Sequence, residues 1–134
     1  MNLKRIHHIE FVVHDLERAA AQYETIFNLA PPKRERSEDR GVETAHFVLG
    51  ETRVILVQPI ADHGFAKRFL DTRGEGFFHV AYEVSDLEAM LLHLKKHGIR
   101  LMNTTARRGL EGWKVINIEP EETCSVLTQI VELA

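Results

Sequence analysis

The sequence predicts an α+β fold made of two βαβββ modules. Three observations carry that prediction: a duplicated block, a change of hydrophobic period inside each copy, and the short β-like runs that follow each copy. Residues 6–17, IHHIEFVVHDLE, return as FFHVAYEVSDLE at residues 77–88, with His8 over His79, Asp15 over Asp86, Leu16 over Leu87 and Glu17 over Glu88. The offset is 71 residues for the histidine pair and for the aspartate pair, about half of the 134-residue chain. Two copies at this period describe similar halves facing each other, because a stacked solenoid needs at least three units.

The elements follow in order. Ile9, Phe11 and Val13 form the apolar face of a first strand, while His8 and Glu10 point the other way. After Asp15, a natural N-cap, Leu16, Ala19, Ala20, Tyr23, Ile26 and Phe27 recur at helical spacing. Val42 to Leu49 and Arg53 to Val57 read as strands of a hairpin turning at Gly50-Glu51. Residues 64–73 predict a short helix carrying Phe65, Phe69 and Leu70, with Gly74 and Gly76 releasing the chain into the second copy. There Val80, Tyr82 and Val84 lie behind, and His79, Ala81 and Glu83 in front. Ser85 and Glu88 have the capping-box spacing for a helix carrying Leu87, Met90, Leu91 and Leu94, which stops at Gly98. Trp113 to Ile118 and Val126 to Leu133, on either side of Glu119-Pro120, complete the second module. The expectation is one domain over residues 1–134: module one about residues 4–60, a linker helix about 61–75, and module two about 76–134. Each helix should pack on the apolar back of its own strand. The front, with both histidines, is left for something else.

Composition sets the class of partner. With 44% apolar and 28% charged residues, the chain can bury a proper core. A net charge of −3 gives no basic footprint, so nucleic acid and anionic membrane surfaces are not expected partners, and a small molecule is. The single cysteine, Cys124, excludes an intrachain disulfide and a cysteine-cluster metal site, and reads as an idle thiol in a reducing compartment. No signal peptide and no membrane-length apolar run is visible, so the expected location is the cytoplasm.

The segments IHHIEFVVHDLERAAAQYETIF, RGVETAHFVLGETRVILVQP, FAKRFLDTRGEGFFHVAYEVSDLEAMLLHLKKHGIRL and SVLTQIVELA cover nearly the whole chain. Through them it resembles the vicinal oxygen chelate superfamily, the glyoxalase, bleomycin-resistance and extradiol dioxygenase group. The run from Phe65 to Leu101 is most similar to the methylmalonyl-CoA epimerase branch. The resemblance implies curved mixed sheets forming a cleft that holds a divalent cation, with a small oxygenated substrate on it, and it implies a homodimer. Of the family's metal ligands, the resemblance places two at His8 and His79, a third at Ile55 and a fourth at Gln129. The position of a Glu that serves some epimerases as base falls at Thr44. Both carboxylate positions of the ligand set are thereby lost. A site of two imidazoles and one amide should hold its ion weakly or not at all, and should shift from hard cations toward Co²⁺, Ni²⁺ or Zn²⁺, with Mn²⁺ still considered. Protein as purified is expected to carry substoichiometric metal or none.

Each remaining candidate has a plainer reading beside the functional one. His8 and His79 are metal ligands or hydrogen-bonded sheet histidines. His46 shares a strand face with Thr44 and is a base, a replacement ligand or an ordinary strand residue. Glu10 and Glu83, on the fronts of the first strands, are acid/base candidates or paired carboxylates. Gln129 is an amide ligand or orients a substrate oxygen, Ile55 lines an apolar wall, and Trp113 stacks on a ligand or belongs to the core. Arg107 and Arg108 meet an anion or are surface arginines. His7, His14, His63, His93 and His97 show no partner pattern. Two functions stay open: an epimerase-like isomerase or lyase moving a proton on a small carboxylate or acyl thioester, and a protein that sequesters a small molecule without chemistry, as the bleomycin-resistance members do.

Overall fold

The computed structural model describes residues 2–103, 107–108 and 110–133. Its elements are β1 (Leu3–Val12), α1 (Leu16–Phe27), β2 (Lys33–Ser37), β3 (Val42–Leu49), β4 (Thr52–Pro59), α2 (Phe65–Arg73), β5 (Gly76–Val84), α3 (Leu87–Lys96), β6 (Arg107–Arg108), β7 (Lys114–Ile118) and β8 (Thr128–Glu132). Setting α2 aside, this is the expected α+β order, β-α-β-β-β twice. The chain divides into two compact units: a continuous one, Ile9–Phe78, and a discontinuous one that joins Met1–His8 to His79–Ala134.

In the continuous unit β2, β3 and β4 form an antiparallel ladder, with Thr44 opposite Val57 and His46 opposite Ile55. The hairpin turns through Gly50 and Glu51 as expected, and Gly50 takes φ 64°, a left-handed conformation that costs glycine little. α1 covers one face of this ladder. Its core joins Val13, Leu16 and Ala20 to Ala45, Phe47, Val54 and Leu56, with Ile9, Phe11, Ala19, Tyr23 and Leu29 packed against them. Ile26 and Phe27, expected in the buried stripe, are instead 69% and 59% exposed, because the core passes from Tyr23 directly to Leu29 and leaves the last helical turn outside. Asp15 caps the helix as expected, its Oδ1 accepting from the Arg18 N–H at 3.1 Å. Strand β2, KRERS, has no apolar residue to mark it in the sequence; it is a charged edge strand of the kind that resists edge-to-edge association.

In the discontinuous unit β5 flanks β1 on one side and pairs in parallel with β8 on the other, and β8 pairs antiparallel with β7. α3 packs Leu87 and Leu91 against Val84, Ile116, Ile118 and Ile130. Its N-cap is Asp86, whose side chain accepts from the Ala89 N–H at 3.0 Å. The capping box expected from Ser85 therefore shifts by one residue, onto the counterpart of Asp15. Arg107 and Arg108 form the two-residue edge strand β6, and the anion contact considered for their side chains lies outside the described residues.

Burial inverts one expectation about the first strands. The polar fronts are the more enclosed: His8, Glu10, His79 and Glu83 are all at least 96% buried, whereas Ile9, Phe11, Val80 and Tyr82 behind them are half-buried.

Candidate functional site

The discontinuous unit carries a row of polar side chains across four adjacent strands. His8 lies on β1, His79 on the neighbouring β5, Gln129 on β8 and Asn117 on β7. The registers align the row: Gln129 pairs with Ala81, which shares the face of His79, and Asn117 pairs with Gln129. His8 Nε2 lies 3.0 Å from His79 Nε2, and His8 Nδ1 lies 2.9 Å from His7 Nδ1. Trp113 stacks on His8 at 5.5 Å between ring centroids, with 27° between the planes, and meets His7 edge-on at 4.6 Å. Gln129 donates its amide Nε2 to Asn117 Oδ1 at 3.3 Å, which leaves Oε1 as the amide atom able to serve an ion or a substrate.

Two imidazole nitrogens 3.0 Å apart are either hydrogen-bonded or set at the bite of one metal ion. The spacing is one at which both rings could hold one divalent ion. Neutral imidazole and an amide oxygen suit borderline divalent cations. His8 and His79 are close enough to share an ion, and Gln129 stands in the same row. Glu10 follows His8 by two residues on the same face of β1 and is 1% exposed, so the strand also supplies a buried carboxylate.

Glu83, on the same face of β5 as His79, is paired with Lys4 Nζ and Arg5 Nε, each at 3.4 Å. Both partners are cations, so this carboxylate is committed to ion pairs.

In the continuous unit Thr44, His46, Ile55 and Val57 occupy the face of the ladder turned away from α1, and all four are buried. A directed chain of hydrogen bonds crosses this face. Arg53 Nη1 donates to His46 Nδ1 at 3.2 Å, since guanidinium has no acceptor; His46 Nε2 then carries the proton and donates to Thr44 Oγ1 at 3.0 Å. Thr44 passes its own proton to the Glu35 carbonyl at 3.4 Å. A permanent donor at one end and a carbonyl at the other fix the direction, and the imidazole lone pair faces a cation. Ile55, opposite His46, is fully buried and offers only an apolar wall. Thr44 also borders a cleft of about 570 Å³ with Arg34 and Arg36. Glu17 accepts from both Arg34 amino groups, and Arg36 donates to the Glu38 and Glu43 carboxylates, which hold its pKa above the ordinary guanidinium value.

Three partners were not legible in the sequence. His7 should point away from His8 by strand alternation, yet both are buried and their rings meet. Asn117 and Arg53 were invisible because cross-strand register is not a local property of sequence.

The family model for the glyoxalase/bleomycin resistance protein/dioxygenase superfamily matches residues 7–116. The chain is 30% identical over 130 residues to the mitochondrial methylmalonyl-CoA epimerase of Homo sapiens, spanning 96% of this chain and 74% of that protein. Among solved structures, methylmalonyl-CoA epimerase from Mycobacterium tuberculosis superimposes with a TM-score of 0.92 at 30% identity, covering 98% of this chain and 89% of the other. A single-site variant of the Streptomyces coelicolor methylmalonyl-CoA epimerase, in complex with 2-nitronate-propionyl-CoA, gives 0.93 at 27% identity, covering 99% and 96%. No helix among the described residues is long and apolar enough to cross a membrane.

Proposed function

Because the chain belongs to the glyoxalase/bleomycin resistance protein/dioxygenase superfamily, with methylmalonyl-CoA epimerases among its relatives, we propose that it is an epimerase that moves a proton at the carbon beside the thioester carbonyl of a malonyl-type acyl-CoA. The observation that supports this most is the row His8, His79, Gln129 and Asn117, with its 3.0 Å nitrogen pair. In this reading His8 and His79 hold a divalent cation and Gln129 offers its carbonyl oxygen to the cation or to a substrate oxygen. When bound, the cation supplies positive charge beside the carbonyl oxygen where negative charge develops. Asn117 holds the Gln129 amide in orientation.

Glu10 is the proposed proton carrier. It is a buried carboxylate on the His8 face of β1, with an oxygen within 4.8 Å of ring nitrogens of His8 and His79. A carboxylate positioned against the substrate carbon can serve as a general base. The Glu10 carboxylate takes the proton from the substrate carbon, the C–H electron pair moves toward the carbonyl, and return of a solvent-derived proton to the opposite face inverts the centre.

Incubation of the protein with methylmalonyl-CoA and Co²⁺ in deuterium oxide tests the reading. Deuterium at the carbon between the carbonyls, lost in Glu10→Gln by about 10²-fold or more, is the expected result. Substrate bound without any exchange, with Co²⁺, Ni²⁺ or Mn²⁺ present, would overturn the epimerase and leave a sequestering protein.

A further inference from the structure

His7, His8 and His79 are linked through their rings, His7 Nδ1 to His8 Nδ1 and His8 Nε2 to His79 Nε2. A neutral imidazole has one N–H and one lone pair, so two arrangements satisfy these two contacts. In one, His7 Nδ1–H donates to His8 Nδ1 and His8 Nε2–H donates to His79. In the other, His8 Nδ1–H donates to His7 Nδ1, and the His8 Nε2 lone pair is turned toward His79. Only the second lets His8 Nε2 coordinate an ion.

We propose that His7 is a positioning residue: its Nδ1 accepts the His8 Nδ1 proton, holding His8 in the tautomer whose Nε2 lone pair is presented beside His79 Nε2. The inference deepens the proposed reading of the site and rests on it for the ion. It stands on three features. The contact between the adjacent rings is short, at 2.9 Å, although consecutive residues of a strand ordinarily face opposite ways. His7 is 5% exposed and His8 1%, so water competes little for the bond. Trp113 touches both rings, edge-on to one and stacked on the other, which limits the rotation of each about its χ2 axis. Partners that accept the second N–H of a ligating histidine fix its orientation and raise its basicity, and their loss typically costs about 10–100-fold in metal affinity.

The test uses the full chain and two readouts that need no substrate. Long-range proton–nitrogen NMR of the metal-free protein should show His8 as the Nδ1–H tautomer. His7→Phe keeps an aromatic ring but removes the acceptor; it should redistribute that tautomer and weaken Co²⁺ binding, followed by titration, about 10–100-fold. His7→Asn restores an acceptor at the δ position and should return Co²⁺ affinity to within about threefold of the parent protein, a rescue that a merely space-filling role would not give. An Nε2–H tautomer at His8 in the parent protein overturns the proposal, and that measurement does not depend on any variant folding. A folded His7→Phe protein with unchanged tautomer and Co²⁺ affinity overturns it as well. A parent protein that binds no Co²⁺ yet shows the Nδ1–H tautomer instead refutes the metal reading of the site and leaves the His7–His8 bond standing, so the two failures are distinguishable.

Discussion

Three side chains compete for the role of proton carrier, and their neighbours decide between them. His46 has the familiar chemistry for the task, but a base needs a lone pair that can reach a substrate, and its Nδ1 pair accepts from a guanidinium at 3.2 Å. Replacement by glutamine keeps one donor and one acceptor, so His46→Gln should lower deuterium exchange by less than about threefold, while Glu10→Gln lowers it about 10²-fold or more. An exchange rate that instead collapses in His46→Gln would make His46 the carrier. Glu83 separates the same way, by stability. Its carboxylate is 4% exposed, whereas the Lys4 and Arg5 side chains are 45% and 34% exposed and can return their charges to water. Glu83→Gln should therefore cost about 1–2 kcal/mol in urea unfolding and leave exchange nearly unchanged, well short of the cost of stranding a fully buried ion. A loss of exchange without loss of stability would make Glu83 the carrier.

The duplication is most literal in how the two main helices begin. Asp15 caps α1 through the Arg18 N–H and Asp86 caps α3 through the Ala89 N–H. A strand residue completes each start: Gln58 Oε1 accepts from Leu16 N at 2.7 Å, and Glu132 Oε1 accepts from Leu87 N at 2.8 Å. Asp15→Ala and Asp86→Ala should each cost about 1 kcal/mol in denaturant unfolding, while Ser85→Ala should cost less than about 0.5 kcal/mol. The reverse ranking at residues 85 and 86 would contradict the observed cap. Helices, hairpin and turn residues could be read in advance because apolar period and capping chemistry are local. Strand β2 could not, since KRERS carries five polar side chains and owes its strand conformation to pairing with β3. For the same reason Gln129 could be named as a candidate while its partner Asn117 could not: the pair is made by the β7–β8 register, between residues separated by an intervening turn.

For the molecule as a whole, the repeat correctly brings His8 and His79 together, but hydrophobic patterning reports which face of a strand is buried and not which strand lies beside it. The compact units accordingly do not follow chain order: residues 1–8 associate with residues 79–134, and the boundary cuts β1 between His8 and Ile9. An ion held by His8 and His79 would therefore cross-link two pieces of the discontinuous unit that lie 71 residues apart in the chain, and it would bind only where those pieces are assembled. Binding to the folded state alone stabilises it by about 2.7 kcal/mol when the free ion stands at about 100 times its Kd. For a domain of this size that corresponds to roughly 10 °C in Tm. Co²⁺ at such a concentration should raise the Tm of the parent protein by about that amount, and chelation should reverse the gain. His79→Ala removes one arm of the cross-link and should abolish most of the shift. An equal shift in the parent protein and in His79→Ala, followed by calorimetry at matched free Co²⁺, would place the ion elsewhere and separate the histidine row from any metal-dependent chemistry.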